Sequence, residues 1–205
     1  MSISNTPTFK IERELREQGY KWIVGVDEAG CGALAGPVVA GAVIFPLDSD
    51  LEGIKDSKLL SEKAREDLYE EVTERAVSWA SGQASVEEIE EIGIRPATYL
   101  AMMRAIEAIE QVDYVLVDAW TLPNMKLPQR GIIKGDRTVK SIAAGSIIAK
   151  VTRDRQMREH AQTYPAYGFE VHKGYGTAVH RQAIKDHGPC GIHRLSYKTF
   201  HPTLV

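Results

Sequence analysis

Lys21-Trp22-Ile23-Val24-Gly25-Val26-Asp27-Glu28-Ala29-Gly30-Cys31-Gly32 is the stretch whose reading decides the fold. Trp22 to Val26 is a short apolar run of β-formers bounded by turn residues, which is how a buried strand reads. It delivers Asp27 and Glu28 into a segment broken by glycine. A carboxylate at the end of a buried strand is unfavourable unless a cation neutralises it, and a divalent metal ion would do so. Gly30 and Gly32 open backbone conformations closed to other residues and let a ligand come close. Taken alone, the stretch also fits an ordinary surface turn capped by Asp-Glu.

Farther along, Asp113-Tyr114-Val115-Leu116-Val117-Asp118 repeats the arrangement, a short apolar run ending in a carboxylate. Between the two runs, Pro37 to Pro46 reads as a second strand, Glu62 to about Arg75 as a helix with Ser61 as its N-cap, and Ala76 to Ser85 as a third strand. Val86 to Gly93 reads as an acidic helix with a solvated face. Pro96 opens a longer helix to about Val112, whose Tyr99, Met102, Met103, Ile106 and Ile109 fall at core spacing. Strand after strand predicts an antiparallel hairpin, whereas helix then strand predicts a crossover and a parallel neighbour. If the Asp113 run lies beside the first strand, Asp27 and Asp118 meet at one edge, where ligands of parallel sheets sit. Gly131 to Asp136 reads as one more brief strand with a third terminal Asp. The expected class is α/β.

Other segments carry less chemistry. Residues 8–18 read as a short amphipathic packing helix, and 119–129 as a long loop holding Pro123, Asn124 and Pro128. Asp56-Ser57-Lys58 lies in a loop that exposes Lys58. Val139 to about Thr163 is the longest helical stretch, buried early and charged late, with Asp154 as a salt-bridge partner at i±4. Gly30, Gly32 and Gly36 imitate a dinucleotide fingerprint only faintly, since the third glycine falls one place late and a strand follows where a helix is needed.

The 205 residues suffice for one domain with a sizeable core. Residues 1–125 carry 11 Lys+Arg against 23 Asp+Glu, a balance of -12, while residues 126–205 carry 14 against 5, a balance of +9, and all six histidines. A basic C-terminal portion suggests a surface that faces nucleic acid. The tail His172-Lys173-Gly174-Tyr175-Gly176, a helix to His187, and Gly188 to Tyr197 interleave basic and aromatic residues in a way that suits phosphates and bases. Its histidine spacings match no standard zinc pattern. Cys31 and Cys190 form no C-x-x-C pair, in keeping with a reducing compartment. With neither a signal peptide nor a membrane-length apolar run, the reading is a soluble, cytoplasmic protein, expected to be a monomer with no membrane partner.

In this order, Gly25-Val26-Asp27-Glu28-Ala29-Gly30-Cys31-Gly32, Asp56-Ser57-Lys58-x-Leu60-Ser61, Leu116-Val117-Asp118, Lys134-Gly135-Asp136, Ser141 to Asp154, His172-Lys173-Gly174-Tyr175 and His193-Arg194-x-Ser196 resemble the bacterial ribonuclease HII family. The resemblance runs from Trp22 to about Tyr197. It implies a ribonuclease H-like fold: a central mixed five-stranded sheet flanked by helices, with a catalytic core over about 20–165 and a helical substrate-binding extension over about 166–205. It implies an endonuclease that cuts the RNA strand of RNA/DNA hybrids and acts at single ribonucleotides in duplex DNA. Asp27, Glu28, Asp118 and Asp136 match the acidic quartet. Four hard oxygen ligands suit Mg²⁺ or Mn²⁺, with two ions about 4 Å apart as in two-metal sites. Asp27 and Glu28 are adjacent, so sharing one site is expected to need a break in the strand.

Selectivity for RNA needs a group that senses the 2′-hydroxyl. The resemblance assigns that to the backbone of Gly30-Cys31-Gly32, and it places Tyr175 on the sugar at the ribo-to-deoxy junction. Lys58, Lys173 and Arg194 resemble phosphate or substrate contacts, with Ser57 and Ser196 as hydrogen-bonding neighbours. Three departures stand out. Cys31 replaces the usual arginine, Ala119 replaces a glycine after the aspartate, and Gly145 is expected to loosen its helix slightly. Competing readings are another two-metal nuclease of the same fold and an inactive nucleic-acid-binding module.

Overall fold

The computed structural model describes residues 6–47, 54 and 61–201. Asp56, Ser57 and Lys58 lie outside the described residues. The elements are α1 (Lys10–Glu17), β1 (Ile23–Ala29), β2 (Val38–Ile44), α2 (Glu62–Arg75), β3 (Ser78–Ala84), α3 (Val86–Ile92), α4 (Ile94–Glu107), β4 (Tyr114–Asp118), β5 (Gln129–Ile132), α5 (Lys140–Thr163), α6 (Phe169–His172) and α7 (Ala178–His187). Five strands form one sheet in the order β3-β2-β1-β4-β5. β1, β2 and β3 pair antiparallel, while β4 and β5 continue parallel from β1, so the sheet is mixed as expected.

Alternation along β1 assigns its two faces. Val24 and Val26 pack with Ala97, Ala101 and Met102 of α4, whereas Ile23 packs with Ile142 of α5. Both faces are covered, which is why the strands read as continuous apolar runs rather than alternating ones. α5 approaches the sheet through glycines. A Cβ on Gly25 would lie 2.2 Å from the Ser141 carbonyl carbon, one on Gly41 2.3 Å from Gly145 O, and one on Gly145 2.7 Å from Gly41 O. Gly145, expected only to loosen its helix, is what allows α5 and the sheet to touch backbone to backbone.

α1 does more than pack. Val139 at the head of α5 supplies no side-chain cap. Glu12, 1% exposed, fills that role from α1 by accepting the Ser141 N–H at 3.0 Å and hydroxyl at 2.9 Å. A carboxylate near a helix N-terminus satisfies an orphan donor and meets the positive end of the helix dipole. Elsewhere Ser61 caps α2 as read, and Ser85 with Glu88 forms a capping box on α3.

Two readings are corrected. β5 ends at Ile132, and Asp136 stands in a short 3₁₀ turn, Gly135–Arg137, reached through Lys134 at φ 57°. At that turn Gly135 packs against Ile142 of α5 and donates its N–H to Asp118. Second, β1 does not break at the acidic pair: Asp27 pairs with Gly41 and Glu28 with Ala40 in an unbroken ladder.

Candidate active site

The unbroken strand sends the two carboxylates to opposite faces. Asp27, 3% exposed, follows Ile23 and Gly25 on the α5 side, where Ser146 hydrogen-bonds it. Glu28 follows Val24 and Val26 on the α4 side, where the Cys31 thiol lies 3.6 Å from its Oε1. At the end of the sheet the two side chains still come within reach of each other. Asp27 Oδ1 accepts the Glu28 N–H at 2.7 Å, which fixes the first carboxylate against the backbone of the second.

β4 brings the third. Val26 pairs with Val117, so the next step of this parallel register sets Asp118 beside Asp27. Asp118 Oδ1 accepts the Gly135 N–H at 2.7 Å, and the following residue is the buried Asp136. The convergence of strand ends expected from sequence is therefore present, with Asp136 arriving by a turn. Burial first, then the charges of Glu28 and Asp118, push the Asp27 carboxyl well above its usual range. Burial and then Asp118 push Glu28 upward as well. Among the described residues no three His, Cys, Asp or Glu side chains close into a ready metal cluster.

Behind the acidic edge runs the glycine segment. Gly30 adopts φ 98°, and a Cβ there would strike the Arg153 guanidinium, so only glycine fits. Gly32 is exposed, with no atom within 4 Å of where a Cβ would stand. Cys31 turns its thiol inward to 3.0 Å from Thr98 Oγ1, and burial pushes its pKa up to about 12. Its carbonyl, by contrast, accepts from Arg194 at 3.1 Å and from the Tyr197 hydroxyl at 3.0 Å.

Two fully buried arginines hold this segment. Arg194 also donates to Gly36 O at 2.9 Å, while Arg153 donates to Pro37, Lys173 and Ala35 carbonyls at 2.9, 2.9 and 3.0 Å. Backbone bridges Ala33–Tyr175 and Ala35–His193 knit it to the tail. Tyr175 is thereby set beside the glycines, its ring flanked by Lys150 and Arg153. Lys173, 6% exposed, points its ammonium at Glu170 O and Glu62. Ser196 binds Glu90 through its N–H and hydroxyl. Lys173, Arg194 and Ser196 are thus all engaged within the protein.

Sequence reading missed Arg153, although Ala149, Arg153, Met157 and Ala161 form an i, i+4 buried stripe in which a charge is out of place. It also missed the cleft of about 390 Å³ beside Glu28, lined by Cys31, Thr98, Met102, Arg95 and Trp120. Trp120 is 57% exposed and carries the Arg95 guanidinium 4.9 Å above its ring. No signal in the 119–129 loop distinguished that tryptophan. Ala119, where a glycine was expected, takes φ 60°, the conformation that glycine would adopt without strain.

The family model for Ribonuclease HII matches residues 24–200, which include all four carboxylates. The chain belongs to the ribonuclease HII family. It is 50% identical to the ribonuclease HII of Caldicellulosiruptor saccharolyticus over 190 residues, 92% of this chain and 93% of that one. To the ribonuclease HII of Bacillus velezensis it is 53% identical over 192 residues, 93% of this chain and 74% of the other. Ribonuclease H2 from Pyrococcus horikoshii superposes with a TM-score of 0.73 at 25% identity, covering 87% of this chain and 95% of that one. Membership of the ribonuclease HII family makes this chain a ribonuclease H-type endonuclease with the α/β fold described above.

Proposed function

We propose that the enzyme cuts the RNA strand of RNA/DNA hybrids and the 5′ side of single ribonucleotides in duplex DNA, leaving 3′-hydroxyl and 5′-phosphate ends. The observation that supports this reading is the parallel β1–β4 register, which carries Asp27 and Asp118 to one edge of the sheet, with Glu28 next along β1 and the Gly135 N–H on Asp118 bringing the turn of Asp136 to β4. All four donors are hard carboxylate oxygens, and Asp27 and Glu28 are destabilised as anions first by burial and then by the charges beside them, Asp118 acting on both. Such a set fits Mg²⁺ or Mn²⁺ and not a thiolate-seeking metal. Asp27, Glu28, Asp118 and Asp136 would hold the ions. When bound, divalent ions supply an activated water and charge stabilisation at the leaving 3′ oxygen.

The rest of the site selects the substrate. Gly32, open and free of side chain, lets the sugar reach the backbone of the glycine segment. Arg194 and Tyr197 hold the Cys31 carbonyl, so this backbone is presented in one conformation. Tyr175 offers its ring at the edge of the same segment, where a ribose meets a deoxyribose. We assign about 20–165 to the catalytic core and about 166–205 to the substrate-binding extension, and we take the enzyme to be a cytoplasmic monomer.

The test is a strand-labelled DNA duplex holding one ribonucleotide, compared with an all-DNA duplex and a continuous hybrid, with Mg²⁺, Mn²⁺ or chelator. Metal-dependent cutting on the 5′ side of the lone ribonucleotide, with the all-DNA duplex intact, is the expected result. Cutting of the all-DNA duplex would favour a structure-specific deoxyribonuclease. Tight binding without cutting would favour an inactive module.

A further inference from the structure

Three histidines of the tail are buried together. The His172 and His180 rings stack at 4.4 Å, and His180 Nε2 lies 3.0 Å from His193 Nε2. Their neighbours leave each ring one tautomer. His193 Nδ1 accepts the Cys190 N–H at 2.8 Å, so its proton sits on Nε2. The Cys190 carbonyl is the longer contact to the same nitrogen, at 3.3 Å, and it accepts the His193 backbone N–H at 3.0 Å. His180 Nδ1 lies 3.0 Å from the Tyr175 carbonyl, which only accepts, so this nitrogen carries the proton and Nε2 receives the one from His193. His172 completes the set by accepting the Gly174 N–H on Nδ1 and donating from Nε2 to Tyr167 O at 2.7 Å.

The result is one directed chain: Cys190 N–H to His193, His193 to His180, His180 to the carbonyl of Tyr175. We propose that His180 and His193 are positioning residues for Tyr175, fixing the backbone from which its ring meets the substrate sugar. This rests on the reading of Tyr175 given above. His193 begins the chain on the residue that bridges to Ala35, and Tyr175 ends it on the residue that bridges to Ala33. The two histidines thus link the residues that bridge to Ala33 and Ala35, just beyond Gly32. Thr177 N–H is the second donor to the Tyr175 carbonyl, at 2.8 Å. Burial, foremost, pushes the His180 pKa down to about 4, which keeps the ring neutral at neutral pH.

The test compares His180→Asn with His180→Gln. An asparagine amide reaches the place of Nδ1 and keeps a donor on Tyr175, whereas a glutamine amide reaches the place of Nε2, keeping His193 and releasing Tyr175. For a duplex with one ribonucleotide, H180N is expected to keep KM within about twofold of wild type. H180Q is expected to raise KM roughly tenfold with kcat little changed, the size of one lost hydrogen bond. Equal KM increases in both variants, or a fall in kcat alone, would overturn the proposal. Nitrogen-15 spectra of the wild-type histidine rings are independent of activity and of variant folding. They should report Nδ1–H for His180 and Nε2–H for His193, and the reverse pattern overturns the chain. If wild type failed to cut the lone ribonucleotide, the reading of Tyr175 would fall, and these spectra would still decide whether the chain exists.

Discussion

The Gly135 N–H donates to Asp118 Oδ1 at 2.7 Å, so the residue before Asp136 is tied to the carboxylate at the end of β4. A Cβ at Gly135 would lie 2.6 Å from Ile142 Cδ1 and 3.4 Å from that same Oδ1. Gly135→Ala should therefore push the turn outward and move Asp118 and Asp136 apart. A displacement of about 1 Å at a catalytic group is enough to lose roughly a hundredfold in rate. We expect kcat to fall ten- to a hundredfold, with the variant still folded by circular dichroism.

Asp27 sits in the native state at a cost. Its pKa is raised on folding, by burial and by Glu28 and Asp118. A carboxyl raised in the fold contributes stability that is present below its unfolded pKa and is lost as pH rises through the folded one. At neutral pH without metal, Asp27→Asn should melt at a higher temperature than wild type while losing activity. Adding Mn²⁺ should raise the wild-type melting temperature by binding the native state and raise that of D27N less. Thermal melts with and without chelator measure both effects.

How much of this was written in the sequence divides along physical lines. Strand ends bearing Asp27 and Asp118 were legible because apolar runs ending in a carboxylate are local patterns, and the helix between them dictates a parallel neighbour. How Glu28 joins them was misread, because a break in the strand was expected and reading one strand ignores that a sheet has an end around which two faces meet. Asp136 was found as a residue but misplaced as strand, since Gly131 to Asp136 has strand-like composition while its turn is imposed by Asp118 and α5. Arg194 read as a phosphate contact because only three-dimensional packing reveals that a cation is buried. Glu12 as a cap for Ser141, 129 residues away, left no local trace.

Arg194 and Arg153 should behave as structural braces. Arg194→Lys gives up part of a fork that holds Gly36 and Cys31 carbonyls, each costing about 1–3 kcal/mol if left unpaired in a buried place. R194K should lower the urea midpoint clearly. Arg194→Gln, which removes the charge, should leave the slope of log affinity against log salt unchanged, because a lost phosphate contact would reduce that slope by about one.

Cys31 should be chemically quiet. Its thiol faces Thr98 and Glu28, and burial with the Glu28 charge pushes its pKa up to about 12. At pH 8 its thiolate fraction is then roughly a thousandfold below that of a free cysteine, and alkylation follows the thiolate. Iodoacetamide labelling of Cys190→Ser, followed by intact mass, should proceed far more slowly than labelling of a free thiol standard.

The account's central claim is that Asp27, Glu28, Asp118 and Asp136 act as one metal-dependent site. Single-turnover cleavage of the one-ribonucleotide duplex by Asp118→Asn, at saturating Mn²⁺ and with duplex binding measured alongside, tests it most directly. We predict a rate at least about a hundredfold below wild type, with binding kept, as when a group that stabilises transition-state charge is removed. Cleavage at the wild-type rate would contradict the assignment of the acidic quartet.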